Sequence, residues 1–159
     1  MITVEFPVLI PDTIGLNEYE DKRPLFLLQV DYEVIIDGSR LVIPAGFKYD
    51  YASVPRGLWN TFLPYDPQYA GPATAHDYLY GGEIIDRKTA DEIFLAGMEF
   101  TGVSKVKRNL MYAAVRLFGG FTYKKHTIES IKEIRELSGI KSTLRPLIPV
   151  YVKGCLNTP

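Results

Sequence analysis

The chain has one cysteine, Cys155, and two histidines, His76 and His126. A single thiol excludes an internal disulfide framework and a metal knot built from cysteines. Cys155 lies in a polar tail, where a structural or incidental role is expected. No stretch approaches the roughly 20 apolar residues that a membrane helix requires. An excess of positive charge is missing too: 18 Lys and Arg stand against 19 Asp and Glu. No global field therefore draws the chain to nucleic acid, and no nucleic-acid partner is expected. The one basic run, SKVKRN at 104–109, opens a helical pattern and reads as a solvated face. The N-terminal MITVEFPVLIPD has no basic region and carries two prolines. A secretory signal peptide is thus not expected, and synthesis in a cytoplasm is.

The composition that remains is that of an ordinary globular protein, and 159 residues suit a single domain spanning 1–159. Aromatic residues are plentiful, with 11 Tyr. Tyrosines pack a ring while bonding a hydroxyl, so they suit either a binding surface or an aromatic core.

Strand character fills residues 1–55. ITVEF alternates, and LFLLQVDYEVII and RLVIPAGF are β-rich runs separated by Asp37-Gly38, a hairpin signal. Strands are expected near 2–6, 25–36 and 40–49, with the acidic stretch 12–24 as a loop. Residues 56–140 read as helical. PRGLWNTF at 55–62 suits one or two turns. Pro72 suits the first turn of a helix that Gly81 and Gly82 end. Asp86 caps a second helix over 87–101, with Ala90, Ile93, Phe94 and Gly97 on its apolar face. Ser104 opens a third, with Val106, Leu110, Ala113 and Leu117 spaced for burial. Thr127 opens a fourth, stopped by Gly139. Residues 141–159 form a tail that can return only as an edge strand, because of its prolines. Strands followed by helices give an α+β fold: a small antiparallel sheet, then about four helices.

The residues that carry chemistry cluster in GPATAHDYLYGG and DRKTADEIF. On one helix His76 shares a face with Ala73 and Tyr80, and Asp77 lies about 100° round. Asp91 falls on the next helix, one turn after Arg87. If the short link lets the helices run antiparallel, Asp91 can face His76. A carboxylate on one ring nitrogen fixes the tautomer and leaves the other to take a proton from water. Asp77 can hold a divalent cation through oxygen, which would give a metal-assisted hydrolase. The competing expectation is a His-Asp-Tyr cluster that only satisfies buried polar groups. Upstream, in AGFKYDYASVPRGLW, Asp50 can add a second carboxylate to a metal site, and Ser53 and Arg56 can bind an anionic group. The alternative there is an Asp/Ser turn capping a short helix. Ser53 lacks the strand-turn-helix elbow of a serine nucleophile. His126, before a helix cap, is expected to be exposed.

GFKYDYASVPRGLW, ATAHDYLY, DRKTADEIFLAGM and MYAAVRLFG, occurring in that order, resemble a family of uncharacterised proteins from tailed bacteriophages and prophages. That resemblance implies a phage origin, synthesis in a bacterial host and possible incorporation in the virion. More locally, HDYLY followed by R and ADEIF is similar to the catalytic helices of phospholipases that cleave the sn-2 ester. This likeness implies His76 as general base, Asp91 as its orienter, Tyr80 as a supporting hydrogen-bonder with Arg87 nearby, and Asp77 as a ligand to calcium. The glycine-rich calcium loop of those enzymes has no counterpart in RGLWNTFLPYDPQYAGP, so Asp50 is the first candidate for a replacement ligand. Partners expected on these grounds are a bacterial envelope component, either a phospholipid ester or a cell-wall bond, or, in a non-enzymatic role, other virion proteins of a tail-associated protein or a host factor bound by a host-interaction protein.

Overall fold

A computed structural model describes residues 1–20, 23–50, 66–123 and 127–137. Strands β1 (Val4–Glu5), β2 (Thr13–Glu20), β3 (Arg23–Leu28), β4 (Tyr32–Ile36), β5 (Ser39–Ile43) and β6 (Lys48–Tyr49) come first. Helices α1 (Ala70–Gly81), α2 (Arg87–Phe100), α3 (Lys105–Tyr123) and α4 (Ile128–Leu137) follow, so the fold is α+β. Ser53, Arg56, the turns expected over 55–62, His126 and the tail lie outside the described residues.

The strands form two antiparallel sheets, ordered β1-β4-β5 and β2-β3-β6. In the first, β4 and β5 meet at Asp37 and Gly38, with φ of 49° and 77°. Two successive positive φ values give the tight turn whose twist matches the strands. The Asp37 carboxylate also accepts from the Thr3 amide at 2.7 Å and the Thr3 hydroxyl at 3.0 Å, which fastens β1 alongside β4. Along β4 the side chains of Tyr32, Val34 and Ile36 go into the core. Burying a side chain such as Val34 contributes roughly 1.5–3 kcal/mol.

Three expectations fail here, each for a physical reason. The segment 12–24 is not simply a loop, because Thr13–Glu20 pairs with β3. Its polar composition reflects an edge strand with little of its surface in the core, since Ile14, Asn17 and Glu18 are exposed. The run 25–36 is divided between the two sheets, with Gln29–Asp31 as the crossing. The run 40–49 is divided as well, at Pro44–Gly46, where Gly46 takes a φ of 89°.

The helices start and stop largely where their punctuation says. The Asp86 side chain accepts from the Thr89 amide at 3.0 Å and caps α2. Thr127 and Ser130 exchange side-chain to backbone bonds at 3.1 Å at the entry to α4. α1 begins at Ala70, so Pro72 sits third in the first turn, where its missing N–H still costs nothing. α2 buries Ala90, Ile93, Phe94 and Gly97 as its spacing requires. α3 does not: Val106, Leu110 and Leu117 are exposed, and Met111 and Ala114 face the core instead.

α1 is the central helix. Every residue from Ala70 to Tyr80 except Asp77 is buried. Its small residues permit that enclosure. A Cβ on Gly71 would stand 2.4 Å from the Tyr32 hydroxyl and 2.9 Å from the Leu9 carbonyl. A histidine placed on such a helix has to satisfy its ring nitrogens inside the protein.

Candidate functional site

Five residues separate α1 from α2, and they form a closed turn. The Gly82 amide donates to Tyr78 and the Ile84 amide to Leu79, each at 3.1 Å. Glu83 adopts a φ of 43° within this turn. From α4, Arg135 donates to the Gly82 carbonyl at 2.8 Å and the Glu83 carbonyl at 2.9 Å, so a buried guanidinium satisfies the end of α1. The tight return packs α2 along α1 and brings residues 76 and 91 together.

His76 Nε2 lies 2.8 Å from Asp91 Oδ1. Asp91 is fully buried. Its second oxygen accepts from Arg116 Nη1 at 2.8 Å, and Arg87 Nε lies 3.9 Å from the same oxygen. With one Asp91 oxygen taking the Arg116 N–H, the other is the acceptor for the ring, and Nε2 donates to it. The imidazole stacks on Tyr80 with ring centroids 4.8 Å apart and tilts against Phe94 at 5.0 Å. Only 10% of its side chain is exposed.

Asp77 flanks the other ring nitrogen, with Oδ1 3.8 Å from Nδ1. That separation is too long for a hydrogen bond, so Asp77 acts on the ring through charge. Burial by itself would lower the His76 pKa, but the Asp77 and Asp91 carboxylates outweigh it and hold it above the ordinary value. The imidazolium is thereby favoured.

Tyr80 and Arg87 form the wall behind the dyad. Arg87 Nε donates to the Tyr80 hydroxyl at 2.8 Å. Its Nη2 donates to the Val115 carbonyl at 3.0 Å and to the Arg116 carbonyl. Arg87 thus holds the segment of α3 that delivers Arg116 to Asp91. Gly119 and Gly120 make the approach possible. A Cβ on Gly119 would stand 2.6 Å from the Tyr80 hydroxyl, and one on Gly120 would stand 3.2 Å from Arg87 Nη1.

Of the residues the sequence singles out, the structure joins His76, Asp77, Tyr80, Arg87 and Asp91. Asp50 directly follows β6, and Phe47 just before that strand meets Tyr78 of α1 edge-on at 5.3 Å. Tyr78 lies about 200° round the helix from His76, so this contact does not bring Asp50 to the imidazole. Among the described residues no group of three or more His, Cys, Asp or Glu side chains is placed to hold a metal ion. Arg116 is the residue that sequence reasoning missed. It lies 25 positions from Asp91 on a different helix, and the MYAAVRLFG block held its only signal, one cation amid apolar residues.

Comparison with known proteins adds family and little chemistry. Residues 26–115 match the model of a family described as "Protein of unknown function (DUF1353)". An uncharacterized protein of Sinorhizobium fredii, y4jT, is 31% identical over 101 residues, which cover 62% of this chain and 30% of that protein. The chain thus spans less than a third of the length of this relative. No solved structure matches.

Proposed function

We propose a function from the premise that this chain belongs to the family described as "Protein of unknown function (DUF1353)": it is a hydrolase that uses His76 as general base and Asp91 as its orienter. One observation carries the proposal. Nε2 is pinned by a buried carboxylate that is itself pinned by Arg116, which leaves Nδ1 as the ring nitrogen for chemistry. A water on the Nδ1 side would give its proton to Nδ1 while its oxygen attacks an ester carbonyl carbon. The tetrahedral intermediate would then collapse, and the proton on Nδ1 would pass to the departing alkoxide. Asp91 stabilises the imidazolium formed between these steps.

The substrate class is a cell-envelope component, with a phospholipid ester first and a cell-wall bond second. It rests on the local phospholipase likeness of HDYLY and ADEIF and on the likeness to phage and prophage proteins. In that setting the protein is made in the host cytoplasm, and incorporation in the virion follows if it acts at entry.

The test is fatty-acid release from mixed phospholipid vesicles, with calcium and with chelator, by wild type and His76→Gln. Release that His76→Gln abolishes without loss of folding supports the proposal, and the chelator arm decides whether calcium takes part. A wild type inactive on both vesicles and isolated cell wall overturns it.

The burial of His76 favours a second role. With 8% of the residue exposed and two carboxylates beside the ring, the same network can serve only to lock α1, α2 and α3 together in a non-enzymatic virion or tail-associated protein. Full biological function with His76→Gln would establish that role.

A further inference from the structure

Asp77 Oδ1 stands 3.8 Å from His76 Nδ1, the ring nitrogen that Asp91 does not engage. The gap is too wide for a direct hydrogen bond, yet it matches a single shared water. A water bonded to both atoms at about 2.8 Å would bend each bond by only about 10° from linear, which hydrogen bonds tolerate.

Exposure points to the same place. Side-chain exposure rises from 0% at Asp91 to 10% at His76 and 14% at Asp77. Between Ala70 and Tyr80, Asp77 is the one residue of α1 that is not buried. Tyr80 and Phe94 pack on the imidazole, and Asp91 with Arg116 closes its Nε2 side. The exposure that the cluster keeps thus lies towards Asp77.

The two acceptors differ in what they can do. Imidazole is a far stronger base than a carboxylate, so a proton moves to Nδ1 while Oδ1 holds only a hydrogen bond. With both of its protons engaged, the water turns an oxygen lone pair away from the ring and the carboxylate. That lone pair then faces the space where a substrate carbonyl carbon can stand, and the attack is oriented before it begins.

We propose that Asp77 is a second catalytic residue, whose carboxylate shares with His76 Nδ1 the water that attacks the substrate. This rests on the reading of His76 as a general base. No bond to Asp77 forms or breaks. The water oxygen bonds the carbonyl carbon, and one of its protons passes through Nδ1 to the leaving group. The other stays on oxygen, bonded to Oδ1, until the product acid releases it to solvent. A carboxylate that acted by its field alone would keep a proton on the ring and slow a base, so its neutralisation would raise the rate.

Steady-state hydrolysis tests this on the substrate that wild type cleaves, vesicles or isolated cell wall, with calcium and with chelator. Asp77→Asn should lower kcat about 10- to 100-fold, with KM and melting temperature little changed. Asp77→Glu keeps the charge but displaces it by a methylene, and it should lose activity as well. A rate that holds or rises in Asp77→Asn overturns the proposal, as does full activity in Asp77→Glu. A loss that added calcium restores would make Asp77 a metal ligand and overturn it too. A wild type that hydrolyses neither substrate removes the general-base reading and this proposal together. Activity that needs His76 and ignores Asp77→Asn removes this proposal alone.

Discussion

Asp91 is fully buried, with its two carboxylate oxygens on His76 and Arg116. Removing one member of a buried ion pair leaves the other charge uncompensated, typically at about 3–5 kcal/mol. Asp91→Ala should lose stability of about that size in urea denaturation, because it strands both His76 and Arg116, while Asp91→Asn should lose less. His76 gives a pH signature with a definite sign. Its folded pKa lies above the ordinary 6.5, so folding favours the protonated ring. That contribution is fully present below 6.5 and fades as pH rises through the raised value. Hydrolysis needs Nδ1 unprotonated, so activity should rise over the same window. Stability and activity should therefore move in opposite directions with pH, and His76→Gln should flatten the stability slope there. Measured denaturation midpoints that lack this difference between the two proteins would exclude a shifted His76.

At the scale of the element, caps and turns are written locally and faces are not. Asp86, Thr127 and the Asp37-Gly38 pair act through neighbours within a few residues, so their roles are legible in the sequence. Asp86→Ala should cost about 1 kcal/mol, a typical cap value. Burial alone would raise the Asp86 pKa, but the bonds it accepts from Thr89 hold it below 3.8. Its contribution is present above 3.8 and is lost as pH falls through the lowered value. The gap between wild type and Asp86→Ala in denaturation midpoint should close over that acidic range. α3 shows the other case. Its apolar positions announce an amphipathic helix, yet the richer stripe faces outward. The inward face has to carry Arg116 to Asp91 and set Gly119 and Gly120 against Tyr80 and Arg87, and Met111 and Ala114 supply its packing.

At the scale of the whole molecule, α4 meets the end of α1 through Arg135 and Ile134 among the described residues. The Arg135 guanidinium bonds the carbonyls that end α1, and Ile134 closes on two glycines. A Cβ on Gly81 would stand 2.8 Å from Ile134, and one on Gly82 would stand 3.0 Å from it. Arg135→Ala should cost about 1.5–3 kcal/mol, the usual worth of hydrogen bonds to a charged group. Hydrogen exchange should show the loss as faster exchange over 128–137 and at 82–84, with α2 protected as before. Uniform acceleration across α2 would mean that α4 is integral to the core. Gly81→Ala should loosen the same contact by pushing on Ile134.

The sequence by itself determined the α+β class, the helix limits near Asp86 and Thr127, and the pairing of His76 with Asp91. Each depends on short-range spacing or on a link too short to allow another path. Tertiary structure decided the rest. It drew polar 13–20 into a sheet edge, divided two β-rich runs between sheets, turned α3 over, and set Arg116 on Asp91. Those outcomes depend on which surfaces meet across the fold, and that is fixed only when distant residues compete for the same buried space.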